Sequence, residues 1–166
     1  MQVLFSQKAY NIILRECVSH GGKESGGILM GKKLENSDFV VAFAIGSGPG
    51  AVRSPFRFTP DVPWQQMILD KLFSLHPIDY LGSFHRHLGF NHWPSNQDYR
   101  SAYEIISSPD WNTPEAIFPI VNFNNGIIQI YPYYFSQKYN DFQPICWTII
   151  PNQSHLLKSA LQRRNK

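Results

Sequence analysis

Two histidines and an aspartate, His85, His87 and Asp98, stand close enough in this chain to share one metal ion. They fall in the stretch His85-Arg86-His87-Leu88-Gly89-Phe90-Asn91-His92-Trp93-Pro94-Ser95-Asn96-Gln97-Asp98. Alternate residues of an extended chain face the same side, so both imidazoles can point one way. Pro94-Ser95 reads as a helix start, with Ser95 as N-cap and Asp98 at the third helical position. A strand end with two imidazoles and a helix start with one carboxylate supply three convergent ligands. They leave a fourth position for water, as catalytic zinc requires. The residue types alone admit other readings: ordinary strand-end histidines with a capping-box carboxylate, or the two-His, one-carboxylate triad of non-haem iron. Capping and ligation by Asp98 are compatible, because a carboxylate has two oxygens.

The elements that must position these residues follow from periodicity and punctuation. Ser6 opens a helix to about Ser19, with Leu4 and Phe5 just outside as a staple and Tyr10, Ile13, Leu14 and Cys17 as its core face. His20-Gly21-Gly22 ends it. Glu24 stands at the start of a strand, Gly26 to Gly31, whose paired glycines allow close backbone approach or a bulge. Taken by itself Glu24 reads as a solvated turn residue. Gly26-Gly27 is no phosphate loop, since the Gly-Lys-Ser/Thr end is absent. A second strand runs from Asp38 to Ile45. Arg53 to Phe58 is a short extended piece, read as an edge strand with solvated arginines. A helix from Pro60 or Asp61 to about Leu75 puts Trp64, Ile68 and Leu72 on one face, with Met67 as core filler. His76-Pro77 ends it, with His76 at the surface.

Tyr80 to Phe84 reads as a buried strand leading into the histidines. A loop carrying His92 and Trp93 follows, then a helix from Ser95 through Asp98 to about Ile106, stopped by Ser107-Ser108-Pro109-Asp110. Ile117 to Phe123 is a strand, Asn124-Asn125-Gly126 a hairpin signal, and Ile127 to Phe135 the return, with Pro132 marking an edge or bulge. Phe142 to Ile150 forms a last strand. A helix from Ser154 to about Arg164 ends in a solvated, frayed tail, Arg163 to Lys166. The order of elements argues an α/β (α+β) fold with a central mixed, partly antiparallel sheet flanked by helices.

At 166 residues the expectation is a single domain, residues 1–166, burying about two-thirds of its extended-chain surface. The formal charge of +3 is too small to argue a nucleic-acid partner. Cys17 and Cys146 are too few and too far apart for a disulfide scaffold and are expected to be free, buried thiols in a reducing compartment. No signal peptide and no run of about 18 apolar residues is seen, so a cytoplasmic protein without a membrane span is expected.

Glu24-Ser25-Gly26-Gly27-Ile28-Leu29-Met30-Gly31, then His85-x-His87, seven residues, Ser95, two residues and Asp98, resembles the JAMM (MPN/JAB) zinc metalloprotease family. The resemblance covers Ser6 to about Phe135. More narrowly, the chain looks like small bacterial stand-alone, deubiquitinase-like members found beside ubiquitin-activating-like and conjugating-like proteins, including those of antiphage systems. The resemblance implies that His85, His87 and Asp98 ligate Zn²⁺. It implies that Glu24 is the general base and Ser95 a hydrogen-bond donor to the oxyanion or the attacking water. It also implies cleavage after the C-terminal glycine of a ubiquitin-like protein or its conjugate, with proteins of a bacterial ubiquitin-like conjugation system as partners and a monomer or weak homo-oligomer as the working state. A catalytically silent scaffold of the same family is the alternative. Arg86 and Leu88 stand where the family carries a small polar residue and a proline, which bears on the substrate groove. Strand alternation points Arg86 away from the metal. His92 is a loop residue, not a fourth ligand. The Arg53–Phe58 piece and the His87–Trp93 loop are the expected walls of the groove.

Overall fold

A computed structural model describes residues 1–109 and 113–162. The fold is mixed α/β. One large sheet has the order β11-β10-β7-β6-β2-β3-β1-β12, with the β8–β9 hairpin attached to β6. Its central members are β1 (Gln2–Ser6), β2 (Gly26–Lys33), β3 (Phe39–Gly46) and β6 (Asp79–His87). Helix α1 (Gln7–Val18) covers one face, where Ala9, Ile13 and Cys17 meet Val3, Phe5, Phe39 and Leu81. Helices α2 (Val62–Leu75), α3 (Asn96–Ser107) and α4 (His155–Leu161) cover the other.

Each helix begins at a residue able to take over an orphaned N–H. Ser6 accepts from Ala9 N, Asp61 from Trp64 N, Ser95 from Asp98 N and Ser154 from Leu157 N. The Val3-Leu4-Phe5 run forms a strand, not a helix-entry staple. It is buried on both faces, with Val3 and Phe5 toward α1 and Leu4 toward α4, and it pairs in parallel with β3 and with β12 (Cys146–Ile150). Such double burial is what a continuous apolar run in a parallel setting produces.

Prolines divide two of the expected long strands. Ile117 to Phe123 splits into β7 (Glu115–Ile117) and β8 (Ile120–Asn124). Between them Pro119, which has no N–H, offers its carbonyl to His85 N at 3.1 Å. The return strand splits at Pro132 into β9 (Ile127–Tyr131) and β10 (Tyr133–Ser136). Asn125 and Gly126 make the tight hairpin turn with φ of 51° and 78°. The last expected strand divides into β11 (Gln143–Pro144) and β12. Arg53 to Phe58 belongs to a separate ribbon of β4 (Val52–Arg53) and β5 (Phe58–Thr59).

Met67 is 61% exposed, on the outward side of α2, so it is not core filler. Cys17 is buried and free, its thiol pushed up to about 12 by burial, whereas Cys146 is free but exposed on β12. Asp110 and the tail from Arg163 to Lys166 lie outside the described residues. Among the described residues no helix is long and apolar enough to cross a membrane.

The register of β6 on β2 decides where the histidines point. Leu29 pairs with Gly82 and Met30 with Tyr80, leaving Leu81 as the extra residue of a bulge. The bulge reverses the alternation of the strand. Leu81 and Phe84 both enter the α1-side core, so His85 and His87 emerge on the α3 side with Arg86 between them on the α1 side. The paired glycines hold β2 close to its neighbours: a Cβ on Gly27 would lie 1.9 Å from the Ile45 carbonyl oxygen, a main-chain atom that cannot swing away. Gly27→Ala should therefore lower unfolding free energy in a urea titration by about 3 kcal/mol, the cost of overpacking at an unyielding site.

Candidate metal centre

His85 and His87 leave the end of β6 side by side, with Nε2 atoms 2.7 Å apart. Across from them the first turn of α3 brings Asp98. Its Oδ1 lies 3.1 Å from His85 Nε2 and its Oδ2 3.4 Å from His87 Nε2. The three side chains form a cluster able to hold a metal ion. The donor set tests this directly. Tetrahedral zinc with bonds of about 2.0–2.1 Å has edges of about 3.3 Å between ligand atoms, close to the two His–Asp98 separations of 3.1 and 3.4 Å, while the two imidazole nitrogens stand closer, at 2.7 Å. The tautomer agrees. His87 Nδ1 faces the Asn91 carbonyl at 3.2 Å, and a carbonyl only accepts, so Nδ1 carries the proton. In the neutral ring, Nε2 then presents a lone pair toward the point where the donors converge. A cation resolves the repulsion among these electron pairs, so the residues present fit a metal.

Asp98 is held from its own helix as well. Its Oδ2 accepts from Ser95 N at 2.6 Å and Ser95 Oγ at 2.7 Å, and Ser95 Oγ accepts from Asp98 N at 3.2 Å. Capping and convergence thus occur together. While the imidazole Nε2 atoms carry protons, burial pushes the Asp98 pKa up, but their hydrogen bonds, that of Ser95 and the charge of His85 outweigh it and leave it well below the usual carboxylate range. Burial pulls His87 down, while the hydrogen bond and charge of Asp98 and the Asn91 carbonyl win and raise it.

Glu24 is half-buried at the entrance to β2 and lines the same cleft as His85 and Asp98, a cavity of about 600 Å³. It is not a solvated turn residue. Burial raises its pKa, the nearby imidazoles oppose that and Asp98 adds to it. Its N–H donates to the Ser54 carbonyl at 2.8 Å.

The expected groove walls are only partly found. Phe56, Arg57 and Phe58 line the cleft, with Phe56 89% exposed. Arg53 turns inward instead. Its guanidinium donates to Glu16 Oε1 at 3.2 Å and to the Gly48 carbonyl at 3.1 Å, so it is neither solvated nor facing the groove. On the second piece, His92 stacks on Tyr131 with ring centroids 4.2 Å apart and Trp93 leans toward Tyr133. Among the described residues, His92 is not part of the metal-binding cluster.

Three supporting roles were not read from the sequence. Asn122 Nδ2 donates to the carbonyls of Gly89 at 3.0 Å and Asn91 at 3.1 Å, and Asn124 Nδ2 also binds Gly89 O, fixing the loop after His87. Two asparagines at alternate positions of a strand, where they are disfavoured, were the available signal. Arg86 is buried, as alternation requires, and donates to the Cys17 carbonyl at 2.8 Å and to the Gly21 carbonyl, closing the end of α1. Its backbone N–H binds Ser25 O at 2.7 Å. The third is that of Glu16, whose Oε1 gathers hydroxyl hydrogen bonds from Ser25 and Ser47 besides the guanidinium of Arg53.

No protein-family model matches the chain. It is 31% identical over 97 residues to the "Probable metalloprotease y4qB" of Sinorhizobium fredii, covering 57% of this chain and 59% of that protein. It is 25% identical over 120 residues to the "CD-NTase/cGAS isopeptidase" of Enterobacter hormaechei, covering 72% and 66% respectively. The chain thus spans about three-fifths to two-thirds of the length of these curated relatives. In shape it is similar to the solution structure of protein DSY2949 from Desulfitobacterium hafniense. That likeness has a TM-score of 0.70 at 17% identity over 92% of this chain and 96% of the other, and concerns the fold alone.

Burial raises the pKa of Glu16, but hydrogen bonds from Ser25, Ser47 and Arg53, with the charge of Arg53, prevail and lower it below 4.5. A carboxylate with a lowered folded pKa stabilises the fold fully above its unfolded value and loses that contribution as pH falls through the folded value. In urea titrations at successive pH values, Glu16→Gln should therefore show a weaker loss of stability than the wild type on acidification below about 4.5.

Proposed function

We propose that this chain, acting as one domain, is a zinc-dependent peptidase or isopeptidase of the JAMM type. It cleaves the bond after the C-terminal glycine of a ubiquitin-like protein, as a precursor or a conjugate, within a bacterial conjugation system in the cytoplasm. The observation that carries this reading is the convergence of His85, His87 and Asp98, with donor atoms 2.7, 3.1 and 3.4 Å apart, and Glu24 in the same cleft. The relatives named as a metalloprotease and an isopeptidase support the reaction class. The second of those names, a CD-NTase/cGAS isopeptidase, supports release of a modifier from a conjugate, and a role in antiviral defence is part of the same proposal.

Zinc held by His85, His87 and Asp98 would polarise the scissile carbonyl and lower the pKa of a water toward ~7. The remaining work falls to side chains of this chain. Glu24 takes a proton from the attacking water as its oxygen bonds to the carbonyl carbon, and a raised carboxylate pKa suits that task. The same carboxyl then returns the proton to the leaving nitrogen as the carbon–nitrogen bond breaks. Ser95 orients Asp98, its one hydroxyl proton donated to Oδ2 at 2.7 Å, and serves the developing oxyanion by turning that proton toward it. Phe56, Arg57 and Phe58 offer an apolar and cationic wall for an extended tail.

Glu24→Gln should retain full zinc by elemental analysis while cleavage of a ubiquitin-like protein–fluorophore amide falls by at least about 10²-fold, the lower end for loss of a positioned base; undiminished cleavage would remove Glu24 from this role. Asp98→Ala should lower zinc occupancy itself. Full zinc in that variant would return Asp98 to capping alone, where its loss costs about 1 kcal/mol of helix stability.

A further inference from the structure

Glu16 lies on α1, outside the cleft, yet it reaches both chain segments that flank Glu24. Its side chain is only 12% exposed. Oε1 accepts from the hydroxyl of Ser25, the residue that directly follows Glu24. The same oxygen accepts from Arg53, which directly precedes Ser54, the residue whose carbonyl binds the Glu24 N–H. Ser25 O in turn accepts from the N–H of Arg86, between the two histidines. Ser47 and His20, the latter at 3.4 Å, complete the surroundings of this oxygen. Room for the carboxylate is built into β3: a Cβ on Gly46 would lie 2.3 Å from Glu16 Oε2. Burying a carboxylate is costly unless it is paired and hydrogen-bonded, and here two of its partners, Ser25 and Arg53, belong to the segments that carry and anchor Glu24.

We propose that Glu16, acting through Ser25 and Arg53, is a positioning residue that sets the placement of Glu24 over the ligand cluster. This rests on the reading of Glu24 as the base. Glu16 touches neither substrate nor metal ligand. It fixes the residue after Glu24 and the strand whose Ser54 carbonyl holds the Glu24 N–H, so the carboxylate enters the cleft at one depth and one angle. A displacement of about 1 Å in a catalytic group costs about 10²-fold in rate, which is the scale on which such an anchor acts.

The test uses the full zinc-loaded chain as wild type, E16Q and E24Q. Three quantities are measured: zinc content, amide hydrogen exchange at Glu24, and kcat and KM on ubiquitin bearing an amide-linked fluorophore at its C-terminal glycine. E16Q is expected to keep its zinc and its KM, to lose kcat by about 10- to 100-fold, and to exchange the Glu24 amide faster while core strand amides stay protected. Unchanged kcat with a protected Glu24 amide overturns the proposal, as does loss of kcat that merely follows lost zinc or raised KM. If E24Q cleaves the probe as well as the wild type, the assignment of Glu24 as base falls; if the wild type does not cleave it, the reading of ubiquitin as an accepted substrate falls. The exchange measurement alone then decides the anchoring: a released amide in E16Q supports it and a protected one overturns it. Should E16Q fail to fold, E16D, which keeps the charge at shorter reach, is judged by the same measurements.

Discussion

With both Nε2 atoms deprotonated, as metal binding requires, two imidazole nitrogens and a carboxylate aim their lone pairs at one point and repel one another, so something other than their mutual contact must hold them there. Here it is main-chain hydrogen bonding. Strand β6 is paired along both edges, with β2 on one side and β7 and β8 on the other, so its end cannot fray away from the cluster. Asp98 is held by the cap of its own helix, and the loop after His87 by Asn122 and Asn124. Rigid elements carry the strain of bringing like groups together.

The bulge at Leu81 divides labour between the faces of the sheet. On the α3 side the strand presents His85 and His87. On the α1 side Arg86 crosses to the carbonyls at the end of α1, where the macrodipole favours a cation. Consecutive residues therefore serve the cleft and the scaffold in turn. The guanidinium also lies 5.7 Å from the Phe123 ring, tying the α1 end to the β8–β9 hairpin.

What was legible in the sequence was short in range. Helix starts at Ser6, at Pro60 or Asp61 and at Ser154, the cap at Ser95, the Asn125-Gly126 turn, and the alternation of His85, Arg86 and His87 all depend on neighbours within a few residues. The glycines foretold close approach, though the bulge lies farther along the strand than Gly26-Gly27. What was missed depends on distant partners. Val3 to Phe5 could be known as a strand only from β3 and β12, and Arg53 as an inward cation only from Glu16, 37 residues before it. Splitting at Pro119 and Pro132 follows a local rule, but the different neighbours of the resulting pieces do not.

Strand β1 lies between β3 and β12, so residues near position 4 take one neighbour from near position 40 and the other from near position 148. Closing so long a loop brings an entropic penalty before any contact repays it, and folds dominated by such pairings form slowly. During synthesis β1 can dock on β3 early but waits for nearly all of the described chain before its second edge is covered. In that interval an apolar strand stands open to neighbouring chains, which makes this the stretch where nascent-chain association would begin.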